Sequence, residues 1–398
     1  MPPAQAEPAA APANPVVVVG GGFGGLSTAL QLASSPGAPP VVLIEPQERF
    51  LFLPLLYELL SGELRRWEVA PRYSELLAGR GVAWLQERVL SIDTANRRLR
   101  TNGQRELPYS QLVLATGGRP LHTGVPGVEA HALSFRSLAD VERLQALVER
   151  LVQTPRPLQR LVIVGAGASG VELACKLADL LQGAAIVELI EQGAELLPNS
   201  KAFNREQAQQ ALLRRDVRLR CGTRVLAVQA EAIELEAAGG AETLNCDAVI
   251  WTGGVAGSVP ELTPSLELDR RGRLRCDAEL RVIGADDLFA LGDAAICPGE
   301  GDASAGSPPA TAQVAFQQAR CVATNVLRLQ RQQPLERFLW KDLGEMLGLG
   351  MGEASVTGMG LTLAGPAAFQ LRRLAYLARL PGLQHQLRVA GGWLADWL

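Results

Sequence analysis

Two glycine clusters of the same spacing are the parts of this sequence best suited to binding a ligand. The first, Gly20-x-Gly22-x-x-Gly25, follows four consecutive valines and precedes a short helical pattern. In such a strand–turn–helix unit the first glycine permits the turn, the second admits a pyrophosphate, and the third allows close helix–strand packing. The free amides at the helix N-terminus then bind the phosphates. Glu45 ends the next apolar segment, where an acid accepts hydrogen bonds from a ribose.

The pattern returns at Gly165-x-Gly167-x-x-Gly170, with Glu191 in the position of the acid. A carboxylate there would meet the 2′-phosphate of NADPH as a like charge, so the second cluster favours NADH. The alternative for both clusters is a glycine-rich turn that binds nothing. Two dinucleotide sites in one chain indicate a flavin in one and a nicotinamide cofactor in the other.

Asp293 indicates which site binds the flavin. It follows an apolar segment and lies beside Gly292, among small residues that allow a ligand to approach closely. An acid in this position can contact the ribityl or phosphate arm of a flavin, and the alternative is an aspartate that caps the next helix. We therefore predict the flavin in the first site and the nicotinamide cofactor in the second.

The elements around these motifs predict an α/β fold with two Rossmann-like dinucleotide-binding domains. Apolar segments that end in Thr-Gly-Gly, at 111–118 and 247–254, add a strand to each copy. A further strand at 288–295 returns to the first domain, so the FAD domain is predicted to be discontinuous, with the NAD(P)H domain inserted. The predicted boundaries are 1–15 for a disordered leader, 16–122 and 257–334 for the FAD domain, 123–256 for the NAD(P)H domain, and 335–398 for an amphipathic C-terminal region.

Composition argues against several other classes of protein. The formal net charge is -3, which is unlike a nucleic-acid binder. The six cysteines include no C-x-x-C pair and the histidines number three, so we expect reduced thiols and no metal site. No Lys or Arg precedes Arg49, which argues against a signal or transit peptide. Glycine, proline and polar residues interrupt the uncharged segment 354–371 too often for a membrane span.

A third motif points to a particular family. Residues 311–318 contain Ala312-Gln313-x-Ala315-x-Gln317, which resembles the quinone-site signature of type II NADH dehydrogenases. The segment 49–58 (RFLFLPLLYE) is similar to the flavin-side loop of that family. The segments that resemble its cyanobacterial and plastid branch, which includes demethylphylloquinone reductases, are 343–346, 360–366 and 373–381.

This resemblance implies FAD, NADH or NADPH as the donor, a membrane quinone as the acceptor, and peripheral membrane attachment without proton pumping. The residues that it places at FAD are Gly20, Gly22, Gly25, Glu45, Thr116, Gly117 and Asp293. The residues that it places at NAD(P)H are Gly165, Gly167, Gly170, Glu172 and Glu191. Ala312, Gln313 and Gln317 would border the flavin ring and the quinone headgroup.

Glu172 has two interpretations. The resemblance implies a proton relay near nicotinamide, flavin and quinone. Alternatively, the carboxylate stabilises a helix start, since we expect it in the first helical turn, where the helix dipole favours negative charge. Gln313 and Gln317 would share one helix face, because four residues separate them. Their alternative is a pair of surface glutamines.

The C-terminal region is predicted to lie in the plane of a membrane. Apolar residues recur there at helical spacing, and arginines outnumber acids. The apolar residues are Leu383, Leu387, Ala390, Leu394 and Trp397. We expect Pro381-Gly382 and Gly391-Gly392 to break the helix into short pieces. The alternatives are a homodimer interface and a tail packed on the core. The predicted location is the cytoplasmic face of a bacterial, cyanobacterial-type membrane.

Other flavoproteins of the same fold remain as alternatives. A sulfide:quinone reductase needs several reactive cysteines near the flavin, and only Cys175, Cys297 and Cys321 are candidates. A ferredoxin-type flavin reductase would differ in its electron acceptor. A flavin-binding sensor or interaction protein would have little turnover, since fold alone does not determine activity.

Overall fold

The computed structural model describes residues 14–121, 124–154, 156–299 and 307–395. Most of the predicted leader, at 1–13, lies outside the described residues, and so does Trp397. The helices are α1 Phe23–Ala33, α2 Leu56–Leu60, α3 Arg66–Val69, α4 Tyr73–Leu76, α5 Val128–His131, α6 Leu138–Gln153, α7 Ala168–Leu181, α8 Ala202–Arg214, α9 Ala312–Gln330, α10 Pro366–Leu377 and α11 Leu383–Ala395.

The strands are short and divide among several sheets. The first twelve are β1 Val16–Val19, β2 Val41–Ile44, β3 Val82–Leu85, β4 Val89–Asp93, β5 Arg98–Thr101, β6 Glu106–Pro108, β7 Gln111–Leu114, β8 Gly118–Pro120, β9 Ala132–Leu133, β10 Arg160–Val164, β11 Ile186–Ile190 and β12 Arg218–Arg220. The next twelve are β13 Arg224–Val228, β14 Ala232–Ala237, β15 Gly240–Asn245, β16 Ala248–Trp251, β17 Val255–Gly257, β18 Glu261–Thr263, β19 Leu274–Arg275, β20 Leu288–Ala290, β21 Ala295–Ile296, β22 Glu345–Gly348, β23 Ala354–Gly358 and β24 Leu361–Gly365.

One compact unit contains the described parts of 1–50, 72–119 and 256–340. Its central sheet is parallel, with strand order β20-β7-β1-β2-β3. The valines of β1 are buried, which explains their uninterrupted run, because a parallel strand covered on both faces needs apolar residues at every position. Helix α9 packs along α1, and a second sheet has the order β18-β4-β5-β6.

The other compact unit contains the described parts of 51–71, 120–255 and 341–398. Its parallel sheet has the order β12-β11-β10-β16-β9. The strand before the glycine turn is central in both units, with the strand that precedes the acid on one side and the strand before Thr-Gly-Gly on the other. A three-stranded antiparallel sheet, β22-β23-β24, packs against α10.

The largest differences between these units and the predicted domains lie in two segments. Residues 51–71 belong to the second unit, although we expected them in the FAD domain. Their placement follows from burial, because Leu56 and Leu60 join the core formed by α6 and α7. The described residues from 341 onward also belong to the second unit and do not form a unit of their own.

The C-terminal region differs from its prediction in one detail. Pro381-Gly382 separates α10 from α11, as expected, but α11 continues through Gly391-Gly392, so the predicted second break was wrong. Buried side chains on either side of the glycines, Val389 and Trp393, hold this stretch helical, and tertiary packing of this kind overrides the weak helix propensity of glycine.

Within the described residues, no helix combines the length and the apolar character needed to cross a bilayer.

Candidate functional site

The first glycine turn has the geometry that a bound pyrophosphate requires. Gly20 has a φ of +97°, and a Cβ on Gly25 would lie 1.8 Å from the carbonyl oxygen of Gly20. Gly22 is different, because nothing lies within 4 Å of the position of its Cβ. Gly20 therefore permits the turn, Gly25 the close packing, and Gly22 leaves the backbone open to a ligand.

Glu45 lies directly after β2 and its carboxylate spans the turn. Its Oε2 accepts a hydrogen bond from the amide of Gly21 at 2.7 Å, and its Oε1 accepts one from the amide of Gln47 at 2.9 Å. These bonds fix the carboxylate at the glycine turn. A carboxylate oxygen can accept more than one hydrogen bond, so Glu45 retains capacity for a ribose hydroxyl.

The second glycine turn repeats this construction. Gly165 has a φ of +102°, and a Cβ on Gly170 would lie 1.8 Å from the carbonyl oxygen of Gly165. Glu191 accepts hydrogen bonds from the amides of Ala166 and Gly193, each at 2.7 Å. The two glycine turns therefore match even in the hydrogen bonds that Glu45 and Glu191 accept from backbone amides.

Glu188, a second acid near this turn, belongs to the sheet instead. It is buried in β11 and pairs with Arg160 at 3.1 Å and Arg220 at 3.2 Å. The electrostatic argument about NADPH therefore rests on Glu191 alone.

A threonine distinguishes the two turns. In the second turn the hydroxyl of Thr252 donates to the carbonyl oxygen of Val164 at 2.8 Å. The corresponding hydroxyl in the first turn, on Thr116, is buried and has no hydrogen-bond partner among the described residues. A buried polar group without a partner costs about 1–3 kcal/mol. A phosphate or ribityl oxygen at the first turn would satisfy it, so the residues present fit FAD there. The next residue, Gly117, has a φ of +68° and continues the turn.

Asp293 lies in the short turn Gly292–Ala294 that follows β20. The amide of Gly292 donates to Oε1 of Gln318 at 2.8 Å, which ties this turn to α9. The capping residue of α9 is Thr311, whose hydroxyl accepts from the amide of Val314 at 3.3 Å. The alternative in which Asp293 caps the next α-helix is therefore wrong, and Asp293 is half-buried after an edge strand of the parallel sheet.

The N-terminal turns of α9 carry the glutamines of the third motif. Ala312 is the first residue of the helix, and Gln313 and Gln317 are half-buried one turn apart. Phe316 packs against Phe23 of α1, with ring centroids 5.2 Å apart. The fold thus brings this helix start and the helix of the first glycine turn together within one unit.

Glu172 lies in the second unit, and its position differs from the sequence prediction. Helix α7 begins at Ala168 and has no acid in its first turn, so the expectation of a first-turn carboxylate was wrong. The side chain is buried, and its Oε1 accepts from the amide of Gly348 at 2.6 Å. The guanidinium of Arg372 lies 3.4 Å from the same oxygen. These contacts contradict the alternative in which Glu172 only stabilises a helix start.

The surroundings of Glu172 raise its proton affinity. Burial is the main cause, and with the negative charge of Glu58 it raises the pKa of Glu172 to about 7, against the opposing effects of Arg372, Gly348 and Lys176. A carboxyl with this pKa is populated in both protonation states near neutral pH, which a proton donor requires. Sequence reasoning missed Glu58, Arg372 and Lys176, although each is a charge within an apolar segment.

The raised pKa of Glu172 should change how the free energy of unfolding depends on pH. A carboxyl whose pKa is about 7 when folded and 4.5 when unfolded favours folding most at low pH, and this contribution is lost as the pH rises through 7. We expect Glu172→Gln to gain stability over the parent between about pH 5 and about pH 8, by on the order of 3 kcal/mol. Thermal melts of both proteins across this range measure it, and a constant difference would contradict it.

The cysteines lack the reactivity that sulfide chemistry requires. All six are free thiols. Burial raises the pKa of Cys175 and of Cys321 to about 12, and it also raises the pKa of Cys297. These thiols stay protonated at neutral pH, whereas the thiolate is the nucleophile. The sulfide:quinone alternative therefore has no activated cysteine in this chain.

Comparison with known proteins agrees with this geometry. The sequence profile of the family described as Pyridine nucleotide-disulphide oxidoreductase matches residues 14–319. The chain is 41% identical to Demethylphylloquinone reductase NdbB of Synechocystis, over 96% of this chain and 97% of that protein. It is 36% identical to the Alternative NAD(P)H-ubiquinone oxidoreductase C1 of Arabidopsis thaliana, over 96% of this chain and 80% of that protein.

Solved structures show the same fold at low sequence identity. NDH2 from Plasmodium falciparum, in complex with NADH, superposes with a TM-score of 0.83 at 18% identity, covering 94% of this chain and 96% of that chain. The sulfide:quinone oxidoreductase from Aquifex aeolicus has a TM-score of 0.78 at 19% identity, covering 92% of this chain and 91% of that chain. The resemblance drawn from the sequence motifs is confirmed: the chain belongs to the pyridine nucleotide-disulphide oxidoreductase family and, within it, to the type II NAD(P)H:quinone oxidoreductases.

Proposed function

We propose that this chain transfers electrons from NAD(P)H through FAD to a quinone, with a demethylphylloquinone-type naphthoquinone as the acceptor. The general reaction follows from the family, and the naphthoquinone from the relative that is 41% identical over almost the whole chain. The observation that carries the cofactor assignment is the duplicated glycine–acid turn, in which only the first copy leaves a buried threonine hydroxyl unpaired.

The residues of the first unit would hold FAD by complementary chemistry. The open backbone at Gly22 and the amides at the start of α1 suit the pyrophosphate, and Glu45 suits the ribose. Thr116 and Asp293 suit the phosphate and ribityl arm. FAD, when bound, supplies hydride acceptance and two-electron delivery to the quinone. The protein contributes binding, orientation and exclusion of water.

Gln313, Gln317 and Glu172 are proposed to act on the quinone. The amides of the two glutamines, which share one face of α9, can donate hydrogen bonds to a quinone carbonyl oxygen. Reduction to the quinol adds two protons together with two electrons. Glu172 is a proton donor suited to this step, because its pKa of about 7 keeps part of it protonated at neutral pH.

Steady-state assay of the purified protein tests this proposal. We expect yellow protein that oxidises NADH with demethylphylloquinone or menadione, and a plastoquinone analogue tests selectivity. Sulfide is offered as an alternative donor, and oxidised ferredoxin as an alternative acceptor. Colourless protein that binds no added flavin, or turnover with sulfide in place of NADH, would contradict the assignment. Bound flavin without quinone turnover would support the sensor alternative.

Glu191 is expected to determine the choice of nicotinamide cofactor. We expect the parent enzyme to prefer NADH, and Glu191→Gln to shift the ratio of kcat/KM toward NADPH by at least about tenfold, roughly 1.4 kcal/mol, because a like charge is removed from the 2′-phosphate position. Glu195→Gln is the matched control, since Glu195 pairs with Arg205 at 2.8 Å outside the turn. A parent enzyme that strongly prefers NADPH would refute this role of Glu191.

We place the protein peripherally at the cytoplasmic face of a bacterial membrane, attached through α11. One face of this helix buries His385, Val389 and Trp393. Three of its leucines are exposed, with relative solvent-accessible surfaces of 67% for Leu383, 64% for Leu387 and 69% for Leu394. Exposed leucines with neighbouring arginines are typical of helices that lie in the interface of an anionic bilayer.

Replacing these leucines should detach the protein without unfolding it. We expect the triple variant Leu383→Gln, Leu387→Gln, Leu394→Gln to lose most of its sedimentation with anionic vesicles and to keep its turnover with a water-soluble quinone. The control is the double variant Leu158→Gln, Leu213→Gln, which changes leucines exposed elsewhere in the same unit. Unchanged vesicle binding with loss of a dimer in solution would instead support the dimer-interface alternative.

A further inference from the structure

A buried charge cluster surrounds Glu172, and we name it by its five members: Glu58, Glu63, Glu172, Lys176 and Arg372. All five belong to the second unit. The guanidinium of Arg372 is fully buried, donates through Nη1 to the nearly buried carboxylate of Glu58, and lies 3.4 Å from Glu172. Lys176, also buried, pairs with Glu63 at the edge of the cluster. One guanidinium is therefore shared unequally between two buried carboxylates.

The charges of the cluster do not balance when every member is ionised. Three carboxylates face two cations, which leaves one negative charge in a buried environment. An uncompensated buried charge is costly, so the cluster favours binding one proton. Glu58 makes the shorter contact with the guanidinium and Glu172 the longer one, so the proton is best held by Glu172.

The contacts of Arg372 explain why the guanidinium stays near Glu58. Its Nη2 donates to the carbonyl oxygen of Pro54 at 2.8 Å, in the segment that leads into α2, while Nη1 is bound to Glu58 within that helix. Its guanidinium carbon also lies 4.7 Å from the ring centroid of Tyr376. Both of these polar contacts come from the segment around α2, and the contact of the same Nη2 with Glu172, at 3.4 Å, is longer than its contact with Pro54.

Other titratable groups around Glu172 do not neutralise it. Tyr57 on α2 and Tyr376 on α10 are buried phenols whose pKa values are raised by burial, so they stay neutral. Cys175, its neighbour on α7, is a protonated thiol. The backbone amide of Gly348 in β22 faces it as a neutral donor. The charged groups that act on Glu172 are therefore members of the cluster.

We propose that Glu58 is a positioning residue, which holds Arg372 away from a close ion pair with Glu172 and so leaves Glu172 able to bind and release a proton for the quinone. This inference rests on the proposed role of Glu172 in quinone reduction. Quinol formation takes two electrons and two protons, and the hydride that leaves NAD(P)H supplies both electrons and one of the protons. The second proton comes from Glu172, as the O–H bond of its carboxyl breaks and an O–H bond forms on a quinone oxygen. Water returns the proton to the carboxylate.

The variant Glu58→Gln tests this inference, because it keeps the shape and removes the charge. The freed guanidinium should pair closely with Glu172, whose proton affinity should fall about tenfold. We expect the upper pH limit of flavin reoxidation by quinone to move down by about one unit. Flavin reduction by NADH, measured separately by stopped flow, should keep its pH dependence. The cluster titrates as a unit, so these are apparent values.

Infrared spectroscopy supplies a readout without turnover. The C=O band of the protonated Glu172 carboxyl is assigned by its disappearance in Glu172→Gln, and its titration is then followed in the parent and in Glu58→Gln. The matched control is Glu142→Gln, since Glu142 is exposed and pairs with Arg66 at 3.3 Å outside the cluster. The double variant Glu58→Gln, Arg372→Gln should reverse the downward shift, which a merely structural role of Glu58 would not produce.

The outcomes separate this inference from the proposed function. An unshifted carboxyl titration in Glu58→Gln overturns the positioning role. If that variant does not fold, Glu58→Asp, which keeps the charge at a shorter reach, should shift the titration down by a smaller amount, and no shift overturns the proposal. Parent-like quinone turnover in Glu172→Gln would refute the relay itself, while the infrared titration would still report whether Glu58 sets the proton affinity of Glu172.

Discussion

Gly25→Ala is expected to give colourless, destabilised protein. The added methyl would lie 1.8 Å from the carbonyl oxygen of Gly20 and 3.1 Å from the Cβ of Ala115, so backbone would have to move. Overpacking against rigid neighbours costs about 1–3 kcal/mol and occasionally more, and here the displaced atom belongs to the cofactor turn itself. Flavin absorbance after purification and the melting temperature measure the result.

Gly22→Ala is the matched control for this prediction. Nothing lies within 4 Å of the added methyl, and Gly22 has a φ of -63°, which alanine adopts without strain. The melting temperature without flavin should therefore stay near that of the parent, whereas FAD affinity should fall, because the methyl occupies the approach of the pyrophosphate. If Gly25→Ala protein is yellow and has the melting temperature of the parent, the turn accommodates the added methyl group and the prediction is wrong.

Arg372→Met is expected to lower the free energy of unfolding by about 3–5 kcal/mol, since removal of one partner leaves buried charge uncompensated. Glu58 and Glu172 would then share a buried site without a cation between them. Protonation of these carboxyls relieves the repulsion, so the loss should shrink as the pH falls from about 8 to about 5. Denaturation of the FAD-loaded protein at both pH values measures this dependence.

Arg373→Met is the control, because it removes a neighbouring arginine with a different environment. Arg373 lies over the ring of Trp393, with its guanidinium carbon 4.2 Å from the ring centroid. A cation–π contact of this kind contributes about 0.5–1 kcal/mol at an exposed site, with no comparable dependence on pH. Equal losses in the two variants, or a loss in Arg372→Met that does not change with pH, would contradict the account of the cluster.

The two cofactor turns could be predicted from the sequence because their signals are local. A buried strand, a glycine turn, a helix and a second strand occupy consecutive residues, and each glycine has its own steric reason. The structure adds that Glu45 and Glu191 make equivalent hydrogen bonds to the turns. It also shows a difference that no spacing reveals, the unpaired hydroxyl of Thr116.

Two predictions about helices were wrong for different physical reasons. Gly391-Gly392 was expected to end a helix on propensity alone, but packing of Val389 and Trp393 keeps the helix intact. Glu172 was assigned to the first helical turn from its distance to the glycines, but α7 begins early enough to carry it deeper. The first error applied a local rule where tertiary packing decides, and the second placed a helix boundary too late in the chain.

The sequence by itself determined that this chain has two strand–glycine turn–helix units, which acid lies at each turn, and that α9 carries the glutamine motif. Only the tertiary structure decided the environment of Glu172. Arg372 lies 200 residues from Glu172 and 314 residues from Glu58 along the chain, and no periodicity links positions so far apart. The packing of α2, α7 and α10 decides whether these charged side chains come into contact. Their burial then makes the interaction strong enough to set the proton affinity of Glu172.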